Sequence, residues 1–250
     1  MAAMIWDSAA GAFEDATPMI WDEQAQAWKD SAGLVYDTSK GAWDERWNKN
    51  LLPNAYQAVE YIQSSGAQLI NTNYYGNATG YKFRTKVMLV KFPSTEGYAI
   101  FGSCHTDGNF QKVLAWNNGT WQLYWYSNYN GGYFGKYKLN TEYVIEYSNV
   151  SNVQEILVNG SMLKSATEKT RAASIPFTIM GQYWSGSVDT NVLSCIKMYF
   201  FEIYEGDVMV HNFIPCYRKS DNIAGMYDVV EKQFYSNEIN GSNFAVGAEI

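Results

Sequence analysis

An all-β architecture, a sandwich or barrel preceded by short hairpin-like repeats, is what this sequence predicts, and three observations carry the prediction. Past residue 50, short runs rich in apolar and β-branched residues are separated by turn signals roughly every 8–12 residues. No stretch there keeps an apolar period of 3.6 residues long enough to form an amphipathic helix. Aromatics make up 16% of the chain, with 20 Tyr and 9 Trp, against 17% charged residues. That balance suits strands, and the flat stacking surfaces of carbohydrate binders, better than a helical bundle.

The first element is a repeat, which names an architecture before any residue does. "MIWDSAAGAFEDATP" (4–18), "MIWDEQAQAWKDSAG" (19–33) and "LVYDTSKGAWDERWN" (34–48) align without gaps at a period of 15 residues. Each carries an aromatic (Trp6, Trp21, Tyr36), then Asp (Asp7, Asp22, Asp37), then Ala (Ala12, Ala27, Ala42) and a second aromatic (Phe13, Trp28, Trp43). The reading is strand, turn, strand, with Gly11 and Gly41 where a tight loop needs a left-handed residue. Unit two has Gln26 there and an Ala-rich "EQAQA", which leaves hairpin and helix both open. A lone hairpin is marginal in water. Three of them cannot enclose a core, so they must lean on each other, on a symmetry mate or on another protein. The aromatics named above, together with Trp47, are therefore the candidate assembly residues, and a homo-oligomer, a trimer, is expected.

"WNKNLLPNAY" (47–56) reads as a junction, because Pro53 restricts Leu52 to an extended conformation. The expected organisation is a repeat segment at 1–48, a linker at 49–55 and one domain at 56–250. Within that domain "YKFRTKVMLVKF" (81–92) alternates, so that Phe83, Thr85, Val87 and Leu89 share one face. "EGYAIFGS", "KVLAWNN", "WQLYWYS", "EYVIEYS", "QEILVNGSML", "IPFTIMGQ", "CIKMYFFEIYEG" and "VMVHNFIP" follow as strands. "NNG", "NGG", "VNGS" and "YEGD" mark the breaks.

Two segments carry a resemblance. "LPNAYQAVEYIQSSGAQLINT" (52–72) looks like the opening strand of the concanavalin A-like, LamG-type jelly-roll domains abundant in phages and bacteria of the animal gut. "IYEGDVMVHNFIPCYRKSDNIAGMYDVVEKQFYSN" (203–237), followed by "GSNFAVGAEI", resembles the closing segment of that family, with its "FIP…R…G.YD…..FY" signature. The resemblance spans about residues 51–250. His211 stands where a basic residue is usual, and Ala248 where the ending commonly has Pro. The family implies a two-sheet antiparallel jelly-roll sandwich with paired terminal strands. It implies no single activity, since its members serve as sugar-binding modules, adhesins and virion surface proteins.

Catalysis finds little support in the sequence. Retaining glycosidases hold two carboxylates about 5 Å apart, and glucanases of this architecture set them at alternate positions of one strand. The nearest acidic group, Glu202, Glu205 and Asp207, surrounds the "YEGD" turn and lacks that spacing. Only His105 and His211 are present, and adjacent Cys104 and His105 point to opposite faces of a strand. No catalytic residue and no metal ligand is assigned. Calcium is a weaker expectation, resting on the oxygen-rich loops "HTDGN" (105–109) and "SGSVDTN" (185–191), where turn capping by Asp and Asn is the competing explanation.

The ligand candidates lie in "WNNGTWQLYWYSNYNGGYFGKY" (116–137). In a strand at 120–127, Trp121, Leu123 and Trp125 share one face, and Gln122, Tyr124 and Tyr126 the other. One set belongs to the core, and the other forms an aromatic ribbon continued by Tyr129, Tyr133 and Phe134 in a Gly-rich loop. Trp116 completes the main candidate glycan-binding set, with Trp184, Tyr74 and Tyr75 as lesser candidates. Stacking of aromatic faces on sugar rings, beside Asn and Gln, is the chemistry expected. The Asn-X-Ser/Thr triplets from Asn77, Asn118, Asn149, Asn159 and Asn240 read as turn residues.

The formal net charge of −7 argues against nucleic acid as a partner. No apolar run is long enough to span a membrane, and no signal peptide is visible. Cys104, Cys195 and Cys216 are odd in number and without metal spacing, and are expected to be reduced thiols. The expectation that unites these points is a phage virion surface protein of head or tail fibre or decoration type. It would be made in the host cytoplasm, dock on other virion proteins through its repeats and display a glycan-binding jelly roll to host or mucosal glycans. A bacterial surface lectin or adhesin is the alternative, with a glycan-degrading enzyme behind it.

Overall fold

The computed structural model describes residues 52–77, 79–91, 98–103, 138–167, 172–239 and 242–250 in full. For the strands within 6–44, for Gly97 and for the strands within 104–136 it describes backbone pairing alone. The chain divides into two compact units, Met1–Pro53 and Asn54–Ile250.

In the first unit every 15-residue repeat is an antiparallel hairpin. β1 (Trp6–Asp7) pairs with β2 (Ala12–Phe13), β3 (Met19–Asp22) with β4 (Ala27–Asp30), and β5 (Val35–Asp37) with β6 (Ala42–Asp44). The register repeats too. Trp6 lies opposite Phe13, Trp21 opposite Trp28 and Tyr36 opposite Trp43, while the Asp of each unit faces its Ala. The choice that Gln26 leaves open in the sequence resolves to a hairpin, and this second unit has the longest ladder of the three. The side chains of Trp6, Phe13, Trp21, Trp28, Tyr36 and Trp43, and the whole of Trp47, lie outside the described residues.

The second unit is a two-sheet antiparallel jelly-roll sandwich. Its strands are β7 (Tyr56–Ala58), β8 (Ile62–Gln63), β9 (Ile70–Asn71), β10 (Gly80–Leu89), β11 (Gly97–Cys104), β12 (Phe110–Asn117) and β13 (Trp121–Ser127). There follow β14 (Gly132–Lys136), β15 (Glu142–Val150), β16 (Val153–Val158), β17 (Ser161–Thr167), β18 (Thr178–Ile179), β19 (Tyr183–Trp184) and β20 (Ser187–Val188). β21 (Ile196–Glu205), β22 (Val208–Arg218), β23 (Ile223–Asp228), β24 (Gln233–Ser236) and β25 (Ala245–Val246) complete the unit. The larger sheet runs β17-β16-β15-β10-β21-β22-β23-β24, and the smaller runs β14-β13-β12-β11-β18-β9. The terminal strands are joined: β25 pairs with β8, and Val59 bridges Glu249.

β10 shows why the sheets pack. Its alternation buries Tyr81, Phe83, Thr85, Val87 and Leu89 and turns Lys82, Arg84 and Lys86 outward, as the period-2 rule requires. Phe83 is the hub of the core. Its ring lies 4.7 Å from that of Phe177, 5.2 Å from Tyr81, 5.3 Å from Phe101 and 5.7 Å from Phe201, centroid to centroid. Tyr147 stacks on it at 5.9 Å, and Tyr74 meets it edge-on at 6.2 Å. Phe101 belongs to the smaller sheet, whereas Tyr147 and Phe201 belong to the larger, so one side chain ties the two layers together.

The turns follow the sequence signals. Asn159 and Gly160, with φ of 50° and 73°, make the two-residue turn between β16 and β17, and Ser185 and Gly186, at 51° and 84°, do the same between β19 and β20. Positive φ at both central residues matches the twist of the flanking strands. The closing motif is structural. A Cβ on Gly225 would sit 2.1 Å from the Tyr235 carbonyl oxygen, so only glycine lets β23 and β24 meet. Arg218 donates twice to Asp221, from Nε at 3.0 Å and Nη2 at 2.6 Å to Oδ2, and the Tyr227 ring lies 4.9 Å from that of Tyr56.

Phe83→Ala removes the ring that both sheets share and leaves a cavity, so it is expected to cost about 3–5 kcal/mol in urea unfolding. A cost near that of an exposed substitution would contradict the assignment of Phe83 as the hub.

Candidate functional site

Trp184 ends β19 at the rim of the smaller sheet. Alternation puts its neighbour Tyr183 inside, at 8% exposure, and leaves Trp184 44% exposed. The Ser185–Gly186 turn then returns the chain so that Ser187 lies opposite Trp184. Asp189 follows as the cap of a 3-10 turn at Thr190–Val192. Its Oδ1 accepts from the Asn191 amide at 3.1 Å, and its Oδ2 from Nε2 of the buried Gln182 at 2.8 Å. The result is a hollow of about 480 Å³ bordered by Trp184, Ser187, Val188, Asp189, Thr190 and Asn191. An aromatic surface beside hydroxyl, amide and carboxylate groups suits a sugar ring, whose apolar face stacks while its hydroxyls hydrogen-bond.

The same loop answers the calcium expectation in part. Both oxygens of Asp189 are engaged in holding the turn, which is the capping role. Among the described residues no group of three or more His, Cys, Asp or Glu side chains is placed to hold a metal ion. "HTDGN" lies outside the described residues.

The remaining predicted ligand residues are placed by backbone only. Trp116 lies in β12, Trp121, Tyr124, Trp125 and Tyr126 in β13, and Tyr133 in β14, three neighbouring strands at one end of the smaller sheet. Tyr133 and Phe134 thus belong to a strand and not to the expected Gly-rich loop, because they pair with Tyr124 and Leu123. Tyr124 stands opposite Leu114 and Tyr133, and Trp125 opposite Val113, which itself stands opposite Phe101. Their side chains, and the whole of Tyr129, lie outside the described residues. Tyr74 requires a correction. It is a core residue, 8% exposed, stacked on Phe177 with its Oη donating to Glu205 Oε1 at 3.0 Å. The chain turns it inward because the "NTNYYGN" segment packs against β10, and only Tyr75 remains outside, at 50% exposure.

The polar groups that most resemble catalytic machinery hold the fold together. Asp228 is fully buried, and its Oδ2 pairs with His211 Nδ1 at 2.6 Å. Its Oδ1 accepts from the Asn212 and Val230 amides, each at 3.0 Å. Burial favours the neutral acid, but the hydrogen bonds from His211 and from those two amides win, and the carboxyl is held below its ordinary range. The His211 ring is enclosed by Tyr74 at 5.4 Å and Phe213 at 5.6 Å. This pair latches β22 to the turn that follows β23. Cys195 and Cys216 are free and buried, and burial pushes the Cys216 thiol up to about 12, which removes it as a nucleophile. The Cys104 side chain lies outside the described residues.

A second hollow, of about 360 Å³, opens on the outer face of the larger sheet. Of the acidic group seen in the sequence, Asp207 lines this hollow and Glu202 lies beside it, on Arg84. Glu202 is buried and accepts from Arg84 Nη1 at 3.3 Å and from Tyr204 Oη at 2.9 Å, whereas Asp207 sits fully exposed at the turn, 3.4 Å from Lys82 Nζ. Burial and the neighbouring Glu202 charge raise the Tyr204 phenol to about 12, so it stays a donor. Glu146, Ser148, Glu155 and Leu157, from β15 and β16, also line it. A search along single strands misses this hollow, because register assembles it. The available signal was the outward positions of the alternating strands, Lys82 and Arg84 in one and Glu146 and Ser148 in the next.

No protein-family model and no curated protein matches the chain. Solved structures do match. A protein of Bacteroides ovatus ATCC 8483 described as carbohydrate-binding aligns at 11% identity over 78% of this chain and 62% of its own, with a TM-score of 0.54. A native heptameric SAP-like pentraxin of Limulus polyphemus aligns at 13% identity over 59% of this chain and 74% of its own, TM-score 0.43. The galectin LEC-6 of Caenorhabditis elegans aligns at 12% identity over 58% and 94%, TM-score 0.39. This chain thus spans less than two thirds of the Bacteroides protein. At 11% identity the likeness to the Bacteroides protein shows the fold alone, an all-β sandwich.

The Asp228 latch carries a pH dependence whose sign is fixed. A carboxyl with a lowered folded-state pKa stabilises the protein above the ordinary Asp range, and that contribution is lost as pH falls through the lowered value. Asp228→Asn is therefore expected to lower the urea midpoint at pH 7, with variant and parent converging on acidification below about pH 4. A gap that stays constant or widens in acid would contradict the latch.

Proposed function

We propose that this chain is a non-enzymatic glycan-binding protein of a phage virion surface. Its segment 1–48 anchors and assembles it, residues 49–55 link, and the jelly roll of residues 56–250 presents the binding surface. The observation that carries the binding part is the hollow around Trp184, where an indole 44% exposed stands beside Ser187, Thr190 and Asn191. The fold shared with the Bacteroides ovatus protein, described as carbohydrate-binding, supports the same class of ligand. The acidic group noted in the sequence, Glu202, Glu205 and Asp207, and the buried Asp228 are each committed to structural pairs, which supports binding without turnover.

The assembly part rests on the repeat. Three hairpins in one register bring an aromatic pair at each step to a segment too short to enclose a core, and a trimer around a three-fold axis would cover them. Partners in the particle would be this chain itself and other virion proteins, with host or mucosal glycans outside. A bacterial surface lectin or adhesin is the second reading, favoured by the Bacteroides likeness. It fits the jelly roll equally well and leaves the repeats to hold a different support.

Two measurements test these parts separately. On a glycan array followed by calorimetry, Trp184→Ala is expected to weaken binding of the best neutral oligosaccharide about tenfold or more, and unchanged affinity would overturn the Trp184 site. In sedimentation the full chain is expected to be a trimer, and the chain lacking residues 1–48 a monomer. A full-length monomer would overturn the anchoring role and leave the surface-lectin reading in place.

A further inference from the structure

The hollow on the outer face of the larger sheet is built by register from strands far apart in sequence. Arg84 on β10 stands between Glu146 on β15 and Glu202 on β21, and Lys82 stands between Ser148 and Tyr204. On the next strand Glu155 is opposite Ser148, and Leu157 is opposite Glu146. Two rows of side chains thus cross the strands side by side, and the space between them, about 360 Å³, falls in the range of about 300–1,000 Å³ typical of small-ligand clefts.

The charges there do not cancel evenly. Lys82 is taken by Asp207, and Arg84 by Glu202. Glu146 and Glu155 also line the hollow, and among the described residues neither has an ion pair or a hydrogen bond. They are diagonal neighbours across β15 and β16, about 7–8 Å apart at the backbone, each half-buried. A cation seated between them would be within direct reach of both. The Leu157 side chain and the Tyr204 ring offer apolar surface alongside, and Ser148 offers a hydroxyl.

We propose that this hollow is a second binding site, which takes a sugar residue bearing a protonated amine. The ammonium would lie between Glu146 and Glu155, a sugar face against Leu157 and Tyr204, and a ring hydroxyl on Ser148. Acidic sugars are excluded, because their carboxylate would meet two uncompensated negative charges with both neighbouring cations already paired. The site lies on the sheet opposite to that of Trp184 and does not depend on the reading of that hollow.

Calorimetry on the full chain tests this with three defined probes: a glucosamine trimer, its N-acetylated counterpart and a galacturonate trimer. The glucosamine trimer is expected to bind about tenfold tighter than the N-acetylated form, to weaken with added salt, and to leave the galacturonate trimer without measurable binding. Glu146→Gln combined with Glu155→Gln should abolish the preference for the amine, while Trp184→Ala should leave it intact. Lys82→Gln, which removes a neighbouring cation from an exposed position, should tighten amine binding. Equal affinity for amine and N-acetyl forms, a preference that survives the double substitution, or weaker amine binding by Lys82→Gln would overturn the proposal. So would a lysine trimer that competes as well as the sugar, since the groove would then fit a peptide. Loss of the preference only in Trp184→Ala would place the amine at the other hollow and overturn it equally.

Discussion

The Phe83 ring is the constraint on which the rest of the domain depends. It touches aromatic side chains from both layers, so the spacing and the relative placement of the sheets are set around it. Because β10 alternates strictly, burying Phe83 also fixes Lys82 and Arg84 on the opposite face. The interior packing and the charged hollow are thus two sides of one strand. A slip of one residue in β10 would exchange them.

A rigid interior leaves recognition to turns and outer faces. At the rim of the smaller sheet, a two-residue turn with positive φ at Ser185 and Gly186 brings Ser187 back opposite Trp184, and the Asp189 cap fixes the following loop. On the larger sheet side chains from four strands meet in register, with the turn at Gly206 and Asp207 beside them. The polar pairs Asp228 with His211 and Glu205 with Tyr74 serve the closure of the fold. The buried Asp228 carboxyl, held below its ordinary range by its donors, stays ionised and fixed, which is the opposite of what a general acid needs.

Much of this architecture was legible in the chain. The alternation of "YKFRTKVML", the glycine-bearing turns and the 15-residue period each rest on a local rule, and the structure follows each one. The closing motif could be read as a fold signature, and Gly225 shows the physical reason: no side chain fits there. What could not be read depends on which strands become neighbours. Glu146, Arg84 and Glu202 are distant in sequence and meet only through the pairing of β15, β10 and β21. Tyr74 and Tyr75 look equivalent as letters, yet packing against Tyr81 and Phe177 buries one and leaves the other outside. The helix left open by "EQAQA" gave way to a hairpin, because four residues of "MIWD" pair with four of "AWKD".

The account's central claim is that a core fixed by Phe83 presents the Trp184 indole to sugars without itself rearranging. Recording the indole N–H resonances of the nine Trp residues, together with amide exchange along β10, during titration with a neutral oligosaccharide tests it most directly. The account predicts that the Trp184 signal moves while the β10 amides keep their protection. A Trp184 signal that stays in place at saturation, or β10 amides that lose protection as sugar is added, would contradict it.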